Sequence, residues 1–471
     1  MTARRRIVVV GGGLAGLAAA HRLLEHAREA NAAAEVVLLE ARPQLGGTIA
    51  TEHAGGFTIE GGPDSILTEK PWAVDLCQRI GFADRLVGTR AGERRTFVVH
   101  AGRLEPLPDG FLLLAPTDLR ALARSSLFTW RGKLRMALDL VLPRGPTAAD
   151  ESLASFVRRR LGREALERVA QPLVGGIYTA DPERLSLAAT MPRFLDLERR
   201  HRSLILGLRA SARALPPGGS GARYSLFVAP ADGMAALVAA IARRLPEGAL
   251  RTGAPVTALA RDGGRWRLRA GGEPLDADAL IVATPAYAAG ELLGALDPVL
   301  ARELGAIDYA SSATVTLAYR SADVPAGALC GFGFVVPAAE RRALLACTYA
   351  SRKFPHRAPE GHELVRAFVG GALRPDLPAL PDETLIATVR AELRALIGIA
   401  AEPELTRVHR YPRAMPQYDV GHLERVAAIE ARVAALPGIR LAGAAYRGVG
   451  MPDCVRSGEA AADALWPATG G

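Results

Sequence analysis

The stretch "RIVVVGGGLAGLAAAHRLL", Arg6 to Leu24, decides the architecture of this chain. It opens on a β-branched run of the kind that fills a strand buried on both faces, and it ends with apolar residues at helical spacing. Between the two, Gly11, Gly13 and Gly16 fit G-x-G-x-x-G. In that pattern the first glycine makes a tight turn, the second lets the backbone approach a pyrophosphate, and the third packs helix against strand. Alone, the match is weak evidence. A second strand-like run, "EVVLLE", ends in Glu40, 24 residues beyond Gly16, and a carboxylate there accepts hydrogen bonds from a ribose diol. Together they predict a dinucleotide site.

Glycines continue outward from this unit. "ARPQLGGTIAT" brings Gly46 and Gly47, and "GGFTIEGGPDSIL" brings a turn, a strand and another pair. Several bare loops at one mouth point to a large, fixed cofactor lying across them, as FAD does. Far downstream, "DALIVATPA" (Asp278 to Ala286) reads as another buried strand, preceded by a hairpin in "TALARDGGRWRLRA". That strand is expected to return to the nucleotide sheet, which makes the cofactor domain discontinuous. The chain closes on "LAGAAYRGVGMPDCVRSGEAAADAL", Leu441 to Leu465, a glycine-broken loop feeding an alanine-rich helix. Backbone N–H groups at such a helix start suit an anion or a polar ring edge.

With 471 residues, 49% of them hydrophobic, the chain has material for two or three domains. Its net charge is +9, and an excess of eight positive charges lies between Arg90 and Arg209. The four cysteines show neither a C-x-x-C pair nor a metal-ligand spacing, which predicts a reducing compartment, no disulfide framework and no metal. The basic, apolar start mimics a signal peptide, but its glycines interrupt the apolar core and the segment is expected to stay on the chain. No uninterrupted apolar run is long enough to span a membrane. Within "GFLLLAPTDLRALARSSLFTWRGKLRMALDLVLPRG", Leu122, Leu127, Phe128, Trp130, Leu134, Met136 and Leu140 stand among Arg120, Arg124, Arg131, Lys133 and Arg135. This pattern fits either the surface of an anionic bilayer or a basic helical face packed on the protein.

The stretches "GGGLAGLAAAHRL", "LLEARPQLGGTI", "GGPDSILTEKPWAVDLCQRIG", "QPLVGGIYTADPERLSL", "GMAALVAAI", "PQYDVGH" and "AYRGVGMPDCVRSG" carry a resemblance. The chain resembles the FAD-dependent protoporphyrinogen and coproporphyrinogen oxidases of haem synthesis, relatives of the flavin monoamine oxidases. The resemblance implies an α/β fold, α+β overall, with a discontinuous Rossmann-like FAD-binding domain (1–95, 222–290 and 405–471). It adds a substrate-binding domain on an antiparallel sheet (291–404, with parts of 60–110) and a helical, basic, membrane-contacting insert (96–221). It implies FAD held by Gly11, Gly12, Gly13, Leu14, Ala15 and Gly16, with Glu40 on the adenosine ribose, Ala41 beside it and Val256 at the adenine. Gly47, Thr48 and the Gly62-Pro63-Asp64-Ser65 loop would lie near the flavin, Thr284 and Tyr411 would line the cofactor, and Val449, Gly450 and Met451 would rest against the isoalloxazine. Phe332, Val335 and Phe368 would face the tetrapyrrole.

The activity implied is six-electron oxidation of protoporphyrinogen IX to protoporphyrin IX, with dioxygen as acceptor and hydrogen peroxide as product. Coproporphyrinogen III is the alternative substrate. In many protoporphyrinogen oxidases an arginine near the strand in "ERRTFVVHAGRLEPLP" grips a propionate; here Thr96 holds that position, and Arg95 falls on the opposite face of a regular strand. The choice of porphyrinogen stays open. Gln44, Asp232 and Tyr411 replace the arginine, glycine and tryptophan usual in relatives, and Tyr411 keeps a flat ring. No histidine stands in a recognisable triad, so the flavin would carry the chemistry. More remote readings are a flavin amine oxidase, with Tyr446 as a wall of its aromatic cage, and a porphyrin-binding flavoprotein without turnover. The implied location is the cytoplasm, peripheral on the inner face of the cytoplasmic membrane, with no nucleic-acid partner; the resemblance admits a homodimer.

Overall fold

The computed structural model describes residues 5–90, 95–112, 114–145, 150–213 and 226–466. Strand Arg5–Val10 is the middle of a five-stranded parallel sheet in the spatial order Leu250–Arg251, Ala34–Leu39, Arg5–Val10, Ala279–Val282, Ile439–Leu441. Its side chains alternate between two cores. Ile7 and Val9 pack with helices Leu14–Glu29 and Met451–Leu465, while Val8 and Val10 pack with Trp266 and helix Ala286–Leu293. Burial on both faces is why these strands read as unbroken apolar runs. The stretch Asp278 to Ala286 supplies the fourth strand, and the hairpin before it extends to three antiparallel strands, Val256–Asp262, Arg265–Ala270 and Glu273–Ala277.

A second sheet has seven strands, ordered Leu405–Pro416, Tyr309–Arg320, His362–Gly370, Leu344–Tyr349, Gly333–Val335, Thr96–His100, Arg103–Pro106. Its pairings are antiparallel except that Gly333–Val335 runs parallel to Thr96–His100. One face, with Val315, Leu317, Val365 and Ala367, packs against Leu385, Val389 and Leu393 of helix Asp382–Ile397. The opposite face is turned to the nucleotide unit, since Thr314 and Arg366 on it bond the carbonyl of Gly61. Leu405–Pro416 is an edge strand of this sheet, and its residues 410–414 also reach the cavity bordered by Gly11 and Glu40. Thr96–His100 and Arg103–Pro106 also join this sheet.

The insert is a set of short helices between Leu119 and Arg213. Leu122, Leu127, Phe128 and Met136, which the sequence pattern offered to a bilayer, are buried with Phe156, Val157 and Phe194. Trp130 and Leu134 are exposed, joined by Leu138 and Val141. Part of the basic charge is internal. Arg160 and Asp139 form a buried ion pair that also takes hydrogen bonds from Ser203 Oγ and the Ile205 N–H, and Arg135 donates to the carbonyls of Arg158, Arg159 and Arg160, which end a helix. No helix among the described residues is long and apolar enough to cross a membrane.

Candidate active site

The three glycines sit at a tight turn, a helix N-cap and a close helix–strand contact. Gly11 has φ of +111°, and a Cβ there would lie 2.7 Å from the carbonyl oxygen of Ala283. Gly13 is the N-cap of helix Leu14–Glu29, and a Cβ on it would meet only the Cα of Gly47, at 3.8 Å, so its backbone is open to approach. A Cβ on Gly16 would sit 1.9 Å from the carbonyl oxygen of Gly11. Glu40 is buried at the end of the neighbouring strand, where its carboxylate accepts from the Gly12 N–H at 2.7 Å and the Arg42 N–H at 2.9 Å.

These residues border a cavity of about 760 Å³. Gly11, Gly13, Glu40, Ala41, Gly47, Thr48, Val256, Thr284 and Tyr411 all line it, while Gly12, Leu14, Ala15 and Gly16 lie behind its wall. An elongated space between a glycine-capped helix N-terminus and a buried carboxylate fits the pyrophosphate and ribose of FAD. Arg42 and Tyr287 also line it and were not singled out from the sequence. Arg42 donates to the Gly47 carbonyl at 2.8 Å, and Arg413 stacks over Tyr287 with its guanidinium carbon 4.0 Å from the ring centre. Arg42 had a readable signal: it is a cation two residues after Glu40, at the mouth of the glycine loop.

Two loops predicted at the flavin meet further along. Lys70 joins them, donating to the Asp453 carboxylate at 2.6 Å, and Ile66 shares a core with Met451. In the first loop Arg366 holds the carbonyls of Gly61 and Gly62, and Thr314 Oγ1 donates to Gly61 at 3.1 Å. Burial would raise the Asp64 carboxyl, but the Lys353 ammonium at 3.0 Å and the Arg366 charge overcome it and hold it well below the usual carboxylate range. His409 lies with its ring against Gly61, and burial followed by the nearby Arg366 charge lowers its pKa. In the second loop Gly450 caps helix Met451–Leu465, and Gly448 adopts φ of +144°. Asp453 sits in that helix's first turn, so the positive end of the dipole faces a carboxylate within the protein as well as the loop.

The "PQYDVGH" motif has a structural task here. Tyr418 Oη donates to the Ala444 carbonyl at 2.6 Å and accepts from the Gly448 N–H at 2.8 Å, while His422 Nε2 meets the Tyr446 carbonyl at 2.9 Å. The Tyr418 and His422 rings stack at 3.9 Å. This bolt fixes the loop that carries Val449.

Strand phase sorts the predicted substrate residues. Phe368 and Val335 both oppose Ala346, and Thr96 opposes Gly333, which puts Thr96, Val335 and Phe368 on the face that carries Arg366. Val335 shares a core with Val449, Leu173 and Tyr178, so sheet, flavin loop and insert helix Gln171–Tyr178 converge there. Burial, with a smaller effect of Asp453, pushes the Tyr178 hydroxyl up to about 12. Arg95 and Phe332 fall out of this set. Each is one residue outside the ladder of its strand, they bond each other through backbone at 2.8 Å, and their odd separation from Thr96 and Val335 places them out of phase. Arg95 is exposed.

The family model for flavin containing amine oxidoreductases matches residues 14–466. The chain is 37% identical to the coproporphyrinogen III oxidase of Bacillus subtilis over 98% of both chains, and 32% identical to the protoporphyrinogen oxidase of Homo sapiens over 97% of this chain and 98% of that one. A crystal structure from Exiguobacterium superposes with a TM-score of 0.87 at 33% identity, covering 99% of each chain. FAD is the cofactor of this protein. The chain belongs to the flavin-containing amine oxidoreductase family, in its porphyrinogen oxidase branch.

Proposed function

We propose that the protein oxidises a porphyrinogen to its porphyrin in haem synthesis, removing six electrons in three two-electron turns. The observation that carries this reading is one sheet surface that presents Thr96, Val335 and Phe368 across several strands and meets the Val449 loop at Val335. FAD, when bound, supplies the two-electron acceptor. Glu40 and Arg42 would hold its ribose and pyrophosphate, and the Gly62–Ser65 and Val449–Met451 loops would fix its ring. The sheet and the insert helix orient the substrate and exclude water. Tyr446, which an amine-binding cage would need, is buried in the core on the other side of the nucleotide sheet with Trp266 and Val8, which disfavours amine oxidation.

Dioxygen is the proposed acceptor, with hydrogen peroxide as product. Trp130, Leu134, Leu138 and Val141, spaced along one stripe and flanked by exposed Arg120, Arg124 and Arg131, are the proposed contact with an anionic membrane from the cytoplasmic side.

Mixing with protoporphyrinogen IX and coproporphyrinogen III, run in parallel, tests the reading. Flavin bleaching is expected without oxygen and porphyrin fluorescence on admitting air, and oxidation of both compounds in air no faster than their autoxidation sinks it. Protoporphyrinogen IX is the first substrate to test. Coproporphyrinogen III has one specific observation in its favour, the name carried by the 37% identical Bacillus subtilis relative, and the ratio of the two rates decides.

A further inference from the structure

One arginine on the wall of the dinucleotide cavity is set in place by a break in its strand. In strand Leu405–Pro416 the ladder shifts: Ser312 pairs with Tyr411 and Ala310 with Met415, so Pro412, Arg413 and Ala414 together oppose Ser311. Bulges of this kind re-aim a side chain, and they recur beside functional sites. Arg413 stands in the middle of this one, with φ of +45°, in the left-handed region that glycine favours. Ser311 Oγ holds it there, accepting from the Arg413 N–H at 3.0 Å. Non-glycine residues kept in that conformation are strained, and they gather at ligand clamps.

The side chain is propped as well. Its guanidinium carbon lies 4.0 Å from the centre of the Tyr287 ring, which itself meets the Tyr309 ring edge to face at 5.1 Å. Tyr309 Oη accepts from the Ala286 N–H at 2.8 Å, so the stack is tied to the backbone. Arg413 and Tyr287 line the same cavity as Gly13, the N-cap of the first helix. Tyr287 closely follows Ala283 and Thr284, which abut the Gly11 turn. The other arginines on this wall are engaged: Arg410 by Asp382 and the carbonyls of Pro378 and Leu380, Arg42 by the Gly47 carbonyl. Among the described residues Arg413 makes no ion pair, and its guanidinium makes no hydrogen bond. Stacking occupies one face of a guanidinium and leaves its rim of N–H donors free.

We propose that Arg413 binds the diphosphate of FAD, with Tyr287 as the platform that holds its guanidinium at the cavity. This rests on FAD as the cofactor. The diphosphate is the doubly negative part of that molecule, and a planar fork of donors suits its oxygens. The bulge thus fixes a positive charge for the cofactor at the cost of backbone strain.

Cofactor affinity and stability of the full chain, read separately, test this. Flavin fluorescence after dilution of the FAD-loaded protein reads release, and titration of the apoprotein reads the Kd. In Arg413→Ala the Kd for FAD should rise about tenfold, the scale of one lost charged hydrogen bond, and its dependence on salt should flatten. Arg413→Lys should recover part of the loss. ADP should raise the thermal midpoint of the wild-type apoprotein more than that of Arg413→Ala, while adenosine should act alike on both. Arg413→Gly separates binding from structure. Glycine takes the left-handed backbone without strain, so this apoprotein should unfold at no lower temperature than wild type, yet bind FAD as weakly as Arg413→Ala. Wild-type FAD affinity in Arg413→Ala and Arg413→Gly overturns the proposal and leaves FAD as the cofactor. So does an equal loss of response to ADP and adenosine, or an Arg413→Gly apoprotein that unfolds well below wild type.

Discussion

The nucleotide site and the substrate face are made in different ways. The candidate nucleotide site rests on backbone turns: Gly11 and Gly13, with Glu40, Ala41, Arg42, Gly47 and Thr48, reach its wall from two short local segments. The substrate face is a row of side chains on strands far apart in sequence, with Thr96 and Phe368 separated by 272 residues. A backbone site depends on which residues can adopt a turn, whereas a side-chain face depends on strand phase, where a slip of one residue turns every side chain over. The two halves should therefore fail differently when altered.

The largest effect is expected at Gly16. A Cβ 1.9 Å from the Gly11 carbonyl cannot be accommodated without moving the turn, so Gly16→Ala should purify without FAD and lose several kcal/mol of stability, roughly as for other overpacked sites. Phe368→Ala, on a half-buried ring, should keep its flavin and lose turnover and porphyrinogen affinity. Flavin absorbance and steady-state kinetics on the pair read this directly. A flavin-replete Gly16→Ala would break the contrast.

Arg366 is where the halves meet, since it stands on the substrate sheet and holds two carbonyls of the flavin loop. Arg366→Met leaves those carbonyls buried and unpaired and takes away a charge facing Asp64. A loss of about 3–5 kcal/mol in urea unfolding is expected, the scale for breaking a buried charge arrangement from one side, along with weaker FAD binding. If FAD affinity is unchanged, the two halves are less coupled than the geometry implies.

The same contrast explains what the sequence disclosed. The glycine fingerprint, Glu40 and the strand at Asp278 to Ala286 were legible because turns and buried parallel strands leave local signatures. Thr96, Val335 and Phe368 came through the family resemblance, and the different phase of Phe332 and Arg95 was not legible because phase is invisible until strand ends are known. Arg366 and His409 carry no local signature at all. Each is one cation or ring on an ordinary strand, and only the pairing of Thr314 with both Phe368 and His409 brings them beneath Gly61. Tyr418 was legible as part of a motif but not as a bolt, because its partners at Ala444 and Gly448 belong to the other sheet's last loop.

A smaller effect concerns acid. The folded-state pKa of Asp64 lies below that of an unfolded aspartate, near 3.9. Its contribution is therefore fully present above the unfolded value and is lost as pH falls through the folded one. Asp64→Asn should cost about 2 kcal/mol at neutral pH, on the scale of a lost charged hydrogen bond. The gap from wild type should then narrow below about pH 4. Denaturation midpoints taken across that range check the sign, and a gap that widens in acid contradicts the assignment.

The smallest effect on stability, and the sharpest on location, is expected at the far side of the insert. Trp130 is 69% and Leu134 67% exposed, one helical turn apart, while Gly132 between them and Met136 beyond them are buried. Exposed side chains change stability little, so Trp130→Ser with Leu134→Ser should shift unfolding by no more than about 0.5 kcal/mol. Transfer of two large apolar side chains into a bilayer interface contributes roughly 1.5–3 kcal/mol each at full burial. Sedimentation with vesicles of anionic lipid should therefore fall at least tenfold in the double variant, and wild-type binding should weaken as salt screens Arg120, Arg124 and Arg131. Neutral vesicles separate the two contributions, because the apolar stripe acts on both lipids and the arginines only on the anionic one. Equal sedimentation of wild type and variant would return this stripe to an ordinary solvent-exposed helix face and leave the insert's role to its buried side, where Val335, Leu173 and Tyr178 meet.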